Sequence, residues 1–487
     1  MRNEYDIIII GAGLGGLECG YILSKKGYSV CVLEKEHIPG GALQSYMRRG
    51  EELDTGLHYV GGLDEGQPLH RLFSYLGLTS LPWRRLDPQG FDEVILPEGS
   101  FLLRNGYDAF RDSLTEAFPH QKEALHAYTS LLKQVGDDTF DGLRAKNASE
   151  LSGTSLFSRS AWEFLSSTIS DPVLRNVLSG TCLKMELSKD SLPLYIFAQI
   201  NSSFIQSAWR LDGGGSLIAG TLTESIRKMG GTVLCDSQVT ALKERDGRLT
   251  CAVLSDGEEI SAGTFISDIH PASAISLIGE SACIRNIYRR RICALRNTGG
   301  TFTVSILLRP GSVPYLNRNR FIYECPDVWE PSPTGTVDRA MVSFRAPSDG
   351  DSARCIDLLT PVRWEEVSRW AGTRPGHRGE AYKTYKAAKA EELVDFACRH
   401  TDLRKSDIEQ VFTSSPLTWT SYTGTPEGSS YGLVKDWRDP LRTVLTPRTP
   451  VPNLFLTGQS LNLHGVLGVS MTSLITCSAV TGETVEF

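Results

Sequence analysis

Residues 5–34 constrain the fold of this chain more than any other stretch. A short run that ends in four isoleucines is followed by Gly11-Ala12-Gly13-Leu14-Gly15-Gly16, by ten residues compatible with a helix, and by a second apolar run that leads to Glu34. This order predicts a strand, a tight glycine turn, a helix and a second strand followed by an acid. Such a unit binds a dinucleotide, with the pyrophosphate at the N-terminus of the helix.

The residue types at this turn suit that ligand. Gly11 allows the sharp turn, Gly13 leaves room for the pyrophosphate, and Gly16 lets the helix pack closely on the strand. Glu34 lies 23 positions after Gly11, where a carboxylate accepts both hydroxyls of an adenosine ribose and repels a 2′-phosphate. The ligand predicted is therefore FAD or NAD rather than NADP.

Three further features favour FAD. The pair Gly40-Gly41 follows Glu34 closely and offers backbone amides to the FAD diphosphate, and Thr457-Gly458-Gln459 offers contacts to the ribityl chain from the far end of the sheet. Residues 465–469 lead into the last helix, whose N-terminus would stabilise the reduced flavin. No second glycine fingerprint follows another strand, so no built-in NAD domain is predicted. The predicted cofactor contacts are Gly11, Gly13, Leu14, Gly15, Gly16, Glu34, Lys35, Gly41, Ala42, Leu43, Val239, Gly458, Gln459, Leu467, Gly468 and Val469.

Distant parts of the chain are predicted to share one sheet. The apolar residues 452–459 predict a buried strand, and a helix is expected at about 469–480. Between residues 213 and 268, a glycine-opened helix precedes four short strands, with Asp246-Gly247 and Asp256-Gly257 as hairpin turns.

The predicted fold class is therefore α/β, with a Rossmann-type FAD-binding domain that is discontinuous in sequence. Its parts are residues 1–85, 210–285 and 430–487. An α+β substrate-binding domain is inserted at residues 86–209 and 286–429.

The composition limits which binding partners and which cellular compartment we expect. A net charge of −7 and a pI of about 5.8 give no reason to expect a nucleic acid. The eleven cysteines include no CxxC pair and suit neither a metal site nor a disulfide framework. The first strand begins within five residues of Met1 and no run of eighteen apolar residues occurs, so neither a signal peptide nor a membrane span is predicted. We expect a cytoplasmic protein with reduced thiols.

At this point the chain resembles a family of FAD-dependent polyene oxidoreductases, which comprises phytoene desaturases, carotenoid cis–trans isomerases and retinol saturases. The segments most similar to retinol saturase are Asp54-Thr55-Gly56-Leu57-His58-Tyr59-Val60-Gly61 and Asn453-Leu454-Phe455-Leu456-Thr457-Gly458-Gln459. The segment that these enzymes carry before the final flavin motif is matched by Ser415-Pro416-Leu417-Thr418, Tyr422, Gly428 and Tyr431-Gly432. The resemblance spans nearly the whole chain and implies an architecture like that of glutathione reductase and the amine oxidases.

The resemblance implies hydride exchange between flavin N5 and a carbon of an apolar polyene or isoprenoid. The family often has an acid after the last glycine of its flavin motif, whereas this chain has Gln459, whose amide would bind a ribityl hydroxyl through a neutral hydrogen bond. The resemblance leaves open the substrate, the choice between desaturation, saturation and isomerisation, and the external electron donor or acceptor.

Four residues are candidate catalytic groups. His58 and Tyr59 are expected near the flavin, where a neutral imidazole or phenol protonates a carbanion-like centre. The alternative is that both only pack against the cofactor. Tyr431 is expected to form a wall of the site, with Glu427 as a candidate acid in the same glycine-rich loop. His464 precedes the last glycine turn and is a further expected neighbour of the flavin.

Two stretches have both a functional and a structural interpretation. Residues 192–209 are rich in large apolar side chains, which suit either the wall of a lipid tunnel or a plain core helix. The arginines at 285, 289, 290 and 291 suit either a peripheral contact with anionic lipid or a solvated face.

Two other functions stay open at this level. An amine-oxidase-like flavoprotein shares the architecture, but it needs an aromatic cage around the substrate nitrogen that the sequence does not locate. A non-catalytic isoprenoid-binding escort protein, similar to Rab escort factors, uses the same fold without redox chemistry. The intact Gly11, Gly13, Gly16, Glu34 and Gly458 argue against a chain that has lost its flavin.

Overall fold

The computed structural model of the protein describes residues 4–143, 155–347 and 350–487. Its strands are Glu4–Ile10, Val30–Leu33, Ser45–Arg48, Glu51–Asp54, Val60–Gly61, Trp83–Arg85, Asp92–Leu96, Gly99–Leu103, Ala208–Leu211, Thr232–Leu234, Val239–Arg245, Arg248–Leu254, Glu259–Ser267, Gly300–Leu308, Asn319–Tyr323, Arg339–Phe344, Cys355–Val362, Ile408–Ser414 and Leu454–Leu456. Its α-helices are Leu14–Lys25, Pro68–Leu76, Tyr107–Ala117, Lys122–Leu143, Ala161–Thr168, Pro172–Ser179, Leu194–Gln206, Ser216–Lys228, Pro271–Ser276, Asn286–Cys293, Trp364–Val367, Glu380–His400, Pro416–Tyr422, Pro440–Thr443 and Gly465–Thr481.

The first sheet has the strand Glu4–Ile10 at its centre. That strand pairs in parallel with Val30–Leu33 on one side and with Glu259–Ser267 on the other, and Leu454–Leu456 pairs in parallel with the latter. Alternate isoleucines of the central strand enter different cores: Ile7 and Ile9 one, Ile8 and Ile10 the other. Burial on both faces is typical of a parallel sheet covered by helices, and explains the unbroken isoleucine run.

The two predicted hairpins are confirmed. The strand Arg248–Leu254 pairs antiparallel with Val239–Arg245 and with Glu259–Ser267. Asp246 and Gly247 both have positive φ, at 52° and 74°, as a type I′ hairpin turn requires.

The second sheet lies in the inserted parts of the chain. Its strand order is Ile408–Ser414, Gly300–Leu308, Cys355–Val362, Arg339–Phe344, Asn319–Tyr323, Asp92–Leu96 and Gly99–Leu103. The α/β fold class with a Rossmann-type domain is thus confirmed. The strands of the two sheets come from different parts of the predicted division, and the domain boundaries stay a proposal. Residues 144–154 of the predicted substrate-binding domain lie outside the described residues.

One arginine of the run takes a structural role, and the apolar stretch forms a buried helix that also contributes Gln199, Ile200, Ser203 and Phe204 to a cavity. Arg289 donates hydrogen bonds to the backbone carbonyls of Ile275, Ile278 and Gly279, so its guanidinium caps a neighbouring helix rather than projecting toward lipid. The helix Leu194–Gln206 is mostly buried. None of the helices in the described ranges is both long and apolar enough to cross a bilayer.

Candidate active site

One cavity of about 590 Å³ joins the carboxyl ends of the parallel strands to the inserted part of the chain. The predicted cofactor residues that line it are Gly11, Gly13, Leu14, Gly15, Glu34, Lys35, Gly41, Ala42, Leu43, Val239, Gly458, Gln459, Leu467, Gly468 and Val469. From the inserted part come Leu183, Lys184, Gln199, Ile200, Ser203, Phe204 and Met341. Ligands of open α/β sheets bind at this edge, so the cavity has the position of a dinucleotide site with an apolar extension.

The glycine turn has the predicted shape. Gly11 has φ +96°, which favours glycine, and a Cβ on Gly16 would lie 2.1 Å from the carbonyl oxygen of Gly11. Gly16 does not line the cavity, so its lack of a side chain serves the close packing of helix on strand.

Two stretches of bare backbone face each other across the mouth of this turn. Gly40 donates its N–H to the carbonyl of Ala12 at 2.7 Å, and a Cβ on Gly41 would lie 3.3 Å from the Cα of Gly13. The two stretches are thus packed backbone to backbone, and Gly13 and Gly41 both line the cavity without a side chain. The residues present therefore fit a dinucleotide.

Glu34 is buried at the end of its strand. Its carboxylate accepts the N–H groups of Ala12 at 2.8 Å and of Glu36 at 3.0 Å, which fixes both of its oxygens at the edge of the cavity. Next to it, Lys35 donates to the carbonyl of Ser421 at 2.8 Å and ties this edge to the helix Pro416–Tyr422.

Asp268 is a site residue that the sequence reasoning missed. It lines the cavity, and a Cβ on Gly13, Gly15 or Gly458 would come within 2.6, 2.6 or 2.5 Å of its carboxyl oxygens. Burial raises the pKa of Asp268 to about 7. The backbone N–H groups of Gly16 and Gly13 act in the opposite direction and lower it. The signal that could have found it is its place directly after Glu259–Ser267, a strand beside the central one.

This carboxyl changes the reason for two of the predicted glycines, Gly13 and Gly458. The space opposite Gly13 was expected to admit the pyrophosphate, and the space at Gly458 was expected to admit the ribityl chain. In both places the nearest atoms to a side chain would be those of Asp268. Gly458 also has φ +90°, which favours glycine independently.

His58 enters the cavity from the segment between two strands. Its Nε2 is buried and has no hydrogen-bond partner among the described residues, and its Nδ1 lies 3.8 Å from the Asp357 carboxylate. Burial lowers the pKa of His58, so the imidazole is held neutral. Behind it, Arg345 bridges Asp357 at 2.9 Å and Asp54 at 3.2 Å. A buried polar atom without a partner calls for an explanation, and His58 Nε2 is one of several such atoms among the described residues.

Tyr59 also lines the cavity, but its hydroxyl is turned toward the interior. It donates to Asp92 at 2.8 Å, and Lys184 contacts the same carboxylate at 3.1 Å. Burial and the proximity of Asp92 raise the pKa of Tyr59 well above its usual value. The Lys184 ammonium lies 3.9 Å from the centre of the Phe204 ring and 5.3 Å from that of Tyr59.

Tyr431 and His464 form the wall where the last helix begins. Their ring centres are 4.9 Å apart, the Tyr431 hydroxyl donates to the carbonyl of Leu183, and His464 Nε2 lies 3.0 Å from the carbonyl of Lys184. Because a carbonyl only accepts, Nε2 carries the proton. Burial lowers the pKa of His464 to about 4, so this histidine is neutral.

Glu427 is not brought to the cavity. It is exposed, has φ 58°, and accepts a hydrogen bond from Asn297 at 3.3 Å. We therefore do not retain it as a candidate acid. Within the described ranges, no group of three or more His, Cys, Asp or Glu side chains is arranged to hold a metal ion.

The sequence of this chain is similar to those of several known proteins. Residues 9–76 match the model of the NAD(P)-binding Rossmann-like domain. The chain is 25% identical to the all-trans-retinol 13,14-reductase of Danio rerio, over 98% of this chain and 86% of that protein. It is 26% identical to prolycopene isomerase 2, chloroplastic, of an Oncidium hybrid cultivar, over 55% of this chain and 48% of that protein.

A solved structure shares the fold. It is the cyclohexylamine oxidase from Brevibacterium oxydans IH-35A, with a TM-score of 0.63 and 16% identity, over 98% of this chain and 99% of that chain. At this identity the likeness concerns the fold alone. The similarity to the retinol reductase over nearly the full length, and to the isomerase over half of it, confirms the resemblance: the chain fits the retinol saturase and carotenoid isomerase family.

Proposed function

We propose that this protein is an FAD-dependent oxidoreductase that acts on C–C or C=C bonds of an apolar polyene or isoprenoid. The observation that carries the proposal is the cavity whose lining extends from the glycine turn to apolar side chains of the inserted segments. The names of the similar proteins, a retinol 13,14-reductase and a prolycopene isomerase, support the same substrate class.

The chain's own groups would hold the cofactor along the sheet edge. Glu34 would bind the adenosine ribose, the backbone at Gly13, Gly15 and Gly41 the diphosphate, and Gly458 with Gln459 the ribityl chain. When bound, FAD supplies hydride exchange at N5. The N-terminus of the helix that begins at Gly465 lies at the wall of the same cavity, where its positive end favours negative charge.

His58 is the group best placed to handle a proton. His58 lines the cavity, its Nε2 has no hydrogen-bond partner among the described residues, and its Nδ1 faces the Asp357 carboxylate, which favours the tautomer with the proton on Nδ1. Nε2 would then take a proton from a substrate carbon in desaturation. In the reverse direction His58 must first gain a proton, and the Asp357 carboxylate would stabilise the imidazolium.

The amine-oxidase alternative meets a specific obstacle. An amine substrate is a cation that needs aromatic faces. The faces of Phe204 and Tyr59 at the cavity already hold the Lys184 ammonium, so these two rings do not offer free faces to a second cation. An apolar ligand has no such conflict, because it gains about 25 cal/mol for each Å² buried without a charged anchor.

Two measurements test the proposal. Purified protein should be yellow, with flavin absorption that bleaches on reduction with dithionite. A colourless folded protein that cannot be reconstituted with FAD would support the escort alternative. Oxidised and reduced enzyme should then be incubated without oxygen with retinol, phytoene or poly-cis-lycopene, with chromatography of the products. Turnover of an amine, and of no polyene, would contradict the substrate class. A cytoplasmic location and contact with a membrane surface stay predictions.

A further inference from the structure

The carboxyl group of Asp268 lies where the diphosphate of a bound dinucleotide would carry its negative charge. Its side chain contacts the backbone of Gly13 and Gly15 at the start of the helix Leu14–Lys25 and the backbone of Gly458 on the other side. It also lines the cavity, so the ligand surface that passes these glycines also passes this carboxyl.

An ionised carboxylate at this position would oppose the ligand. The FAD diphosphate carries two negative charges, and like charges in a buried site repel strongly because solvent screens them little. The carboxyl lies against the backbone of Gly13 and Gly15 where the helix begins, so an ionised Asp268 would compete with phosphate for the positive end of the helix.

Two other titratable groups face Asp268. Glu34 approaches from the end of the strand Val30–Leu33 and raises the pKa of Asp268, and Asp268 in turn raises that of Glu18, which lies within the helix Leu14–Lys25. Glu18 does not line the cavity; its Oε1 accepts a hydrogen bond from Ser470 at 2.6 Å. Three carboxyl groups therefore converge below one glycine turn.

We propose that the dinucleotide binds to the form of this protein in which Asp268 is a neutral carboxylic acid, so that Asp268 makes cofactor affinity depend on pH. The neutral acid removes the repulsion and adds a donor for a phosphate oxygen. The inference rests on the proposed FAD site, and it concerns binding of the cofactor rather than turnover of a substrate.

The test is the dissociation constant of FAD from the full-length chain, followed by flavin fluorescence. The diphosphate of FAD stays ionised near neutral pH, so a pH dependence belongs to the protein. Between about pH 6 and about pH 9, the dissociation constant should be flat below the pKa of free Asp268 and rise about tenfold per pH unit above it. Asp268→Asn cannot ionise and should bind FAD with a constant that changes little over this range.

Glu18→Gln is the matched control, because Glu18 is a buried acid of the same turn that does not reach the cavity. It should keep the rise with pH. A flat profile for the unmodified protein, a rise that persists in Asp268→Asn, or a rise that vanishes only in Glu18→Gln would each overturn the inference.

A second measurement does not depend on how the variants fold. Calorimetric titration of the unmodified chain with FAD near pH 8, in two buffers of different ionisation enthalpy, should show uptake of about one proton per FAD. Binding without proton uptake would overturn the inference and leave the FAD site intact. Failure to bind FAD at any pH would overturn both the inference and the proposed function.

Discussion

The hydroxyl of Tyr59 donates to the carboxylate of Asp92 at 2.8 Å, although the ring of Tyr59 lines the cavity. The phenolic proton is thus directed away from the site, and the side chain is better suited to position its surroundings than to protonate a substrate. Asp92 is completely buried and also contacts Lys184, so removal of one partner leaves its charge less well compensated.

Tyr59→Phe should therefore lower the free energy of unfolding by about 1.5–3 kcal/mol, the contribution of a hydrogen bond to a charged group. Denaturant unfolding measures this loss. Tyr128→Phe is the control, since Tyr128 is also buried and its hydroxyl has no hydrogen-bond partner among the described residues. Equal losses in the two variants would contradict the assigned role of Asp92.

Glu34→Ala should weaken FAD binding by one to two orders of magnitude, because a charge-assisted hydrogen bond to the ribose contributes about 1.5–3 kcal/mol. Retention of flavin on dialysis and a fluorescence titration both report the change. Glu36→Ala, two residues further on, removes a carboxylate that forms a surface pair with Lys35 and should leave FAD affinity within twofold. Full flavin retention in Glu34→Ala would refute the ribose contact.

Gly458→Ala should destabilise the protein more than Gly482→Ala. Both glycines have positive φ, at 90° and 75°, and a left-handed backbone costs about 1–2 kcal/mol with any side chain. Only at Gly458 does the new Cβ meet an obstacle, the Asp268 carboxyl at 2.5 Å, which adds about 1–3 kcal/mol of overpacking. Thermal unfolding of the two variants side by side gives the comparison. Equal melting temperatures would show that Asp268 moves away freely.

Glu18 should make the folded protein less stable as pH rises. Burial raises the pKa of Glu18 to about 8 from a usual value of 4.5, so the folded state binds more protons than the unfolded state between these values. The contribution of Glu18 to the free energy of unfolding is fully present below about pH 4.5. It is lost progressively as the pH rises to about pH 8, and the total loss is a few kcal/mol.

Glu18→Gln removes this titration. The variant should lose less stability than the unmodified chain between about pH 5 and about pH 8, by denaturant titration at each pH. Parallel profiles for the two proteins would indicate that Glu18 is not the group responsible.

The local sequence patterns were sufficient for the frame of the site. The glycine turn, Glu34 and the helix at the chain end all carry short-range signals, and only the start of that helix differs, at Gly465 rather than about 469. Asp268 carries only a weak signal, its place after a strand beside the central one, and Asp92 and Lys184 carry none. They come together from strands and turns far apart in sequence, and an isolated aspartate after a strand looks like any surface turn residue. Glu427 shows the converse error, since a glycine-rich loop predicts flexibility but not which side chain faces the cavity.

Arg345 joins Asp54, in the two-stranded sheet of Ser45–Arg48 and Glu51–Asp54, to Asp357 of the second sheet in a bridge just behind His58. Movement of these two sheets apart would break both ion pairs, at a cost of several kcal/mol. A hinged opening at this place is therefore disfavoured, and the wall of the cavity behind His58 should keep its position while a ligand enters and leaves.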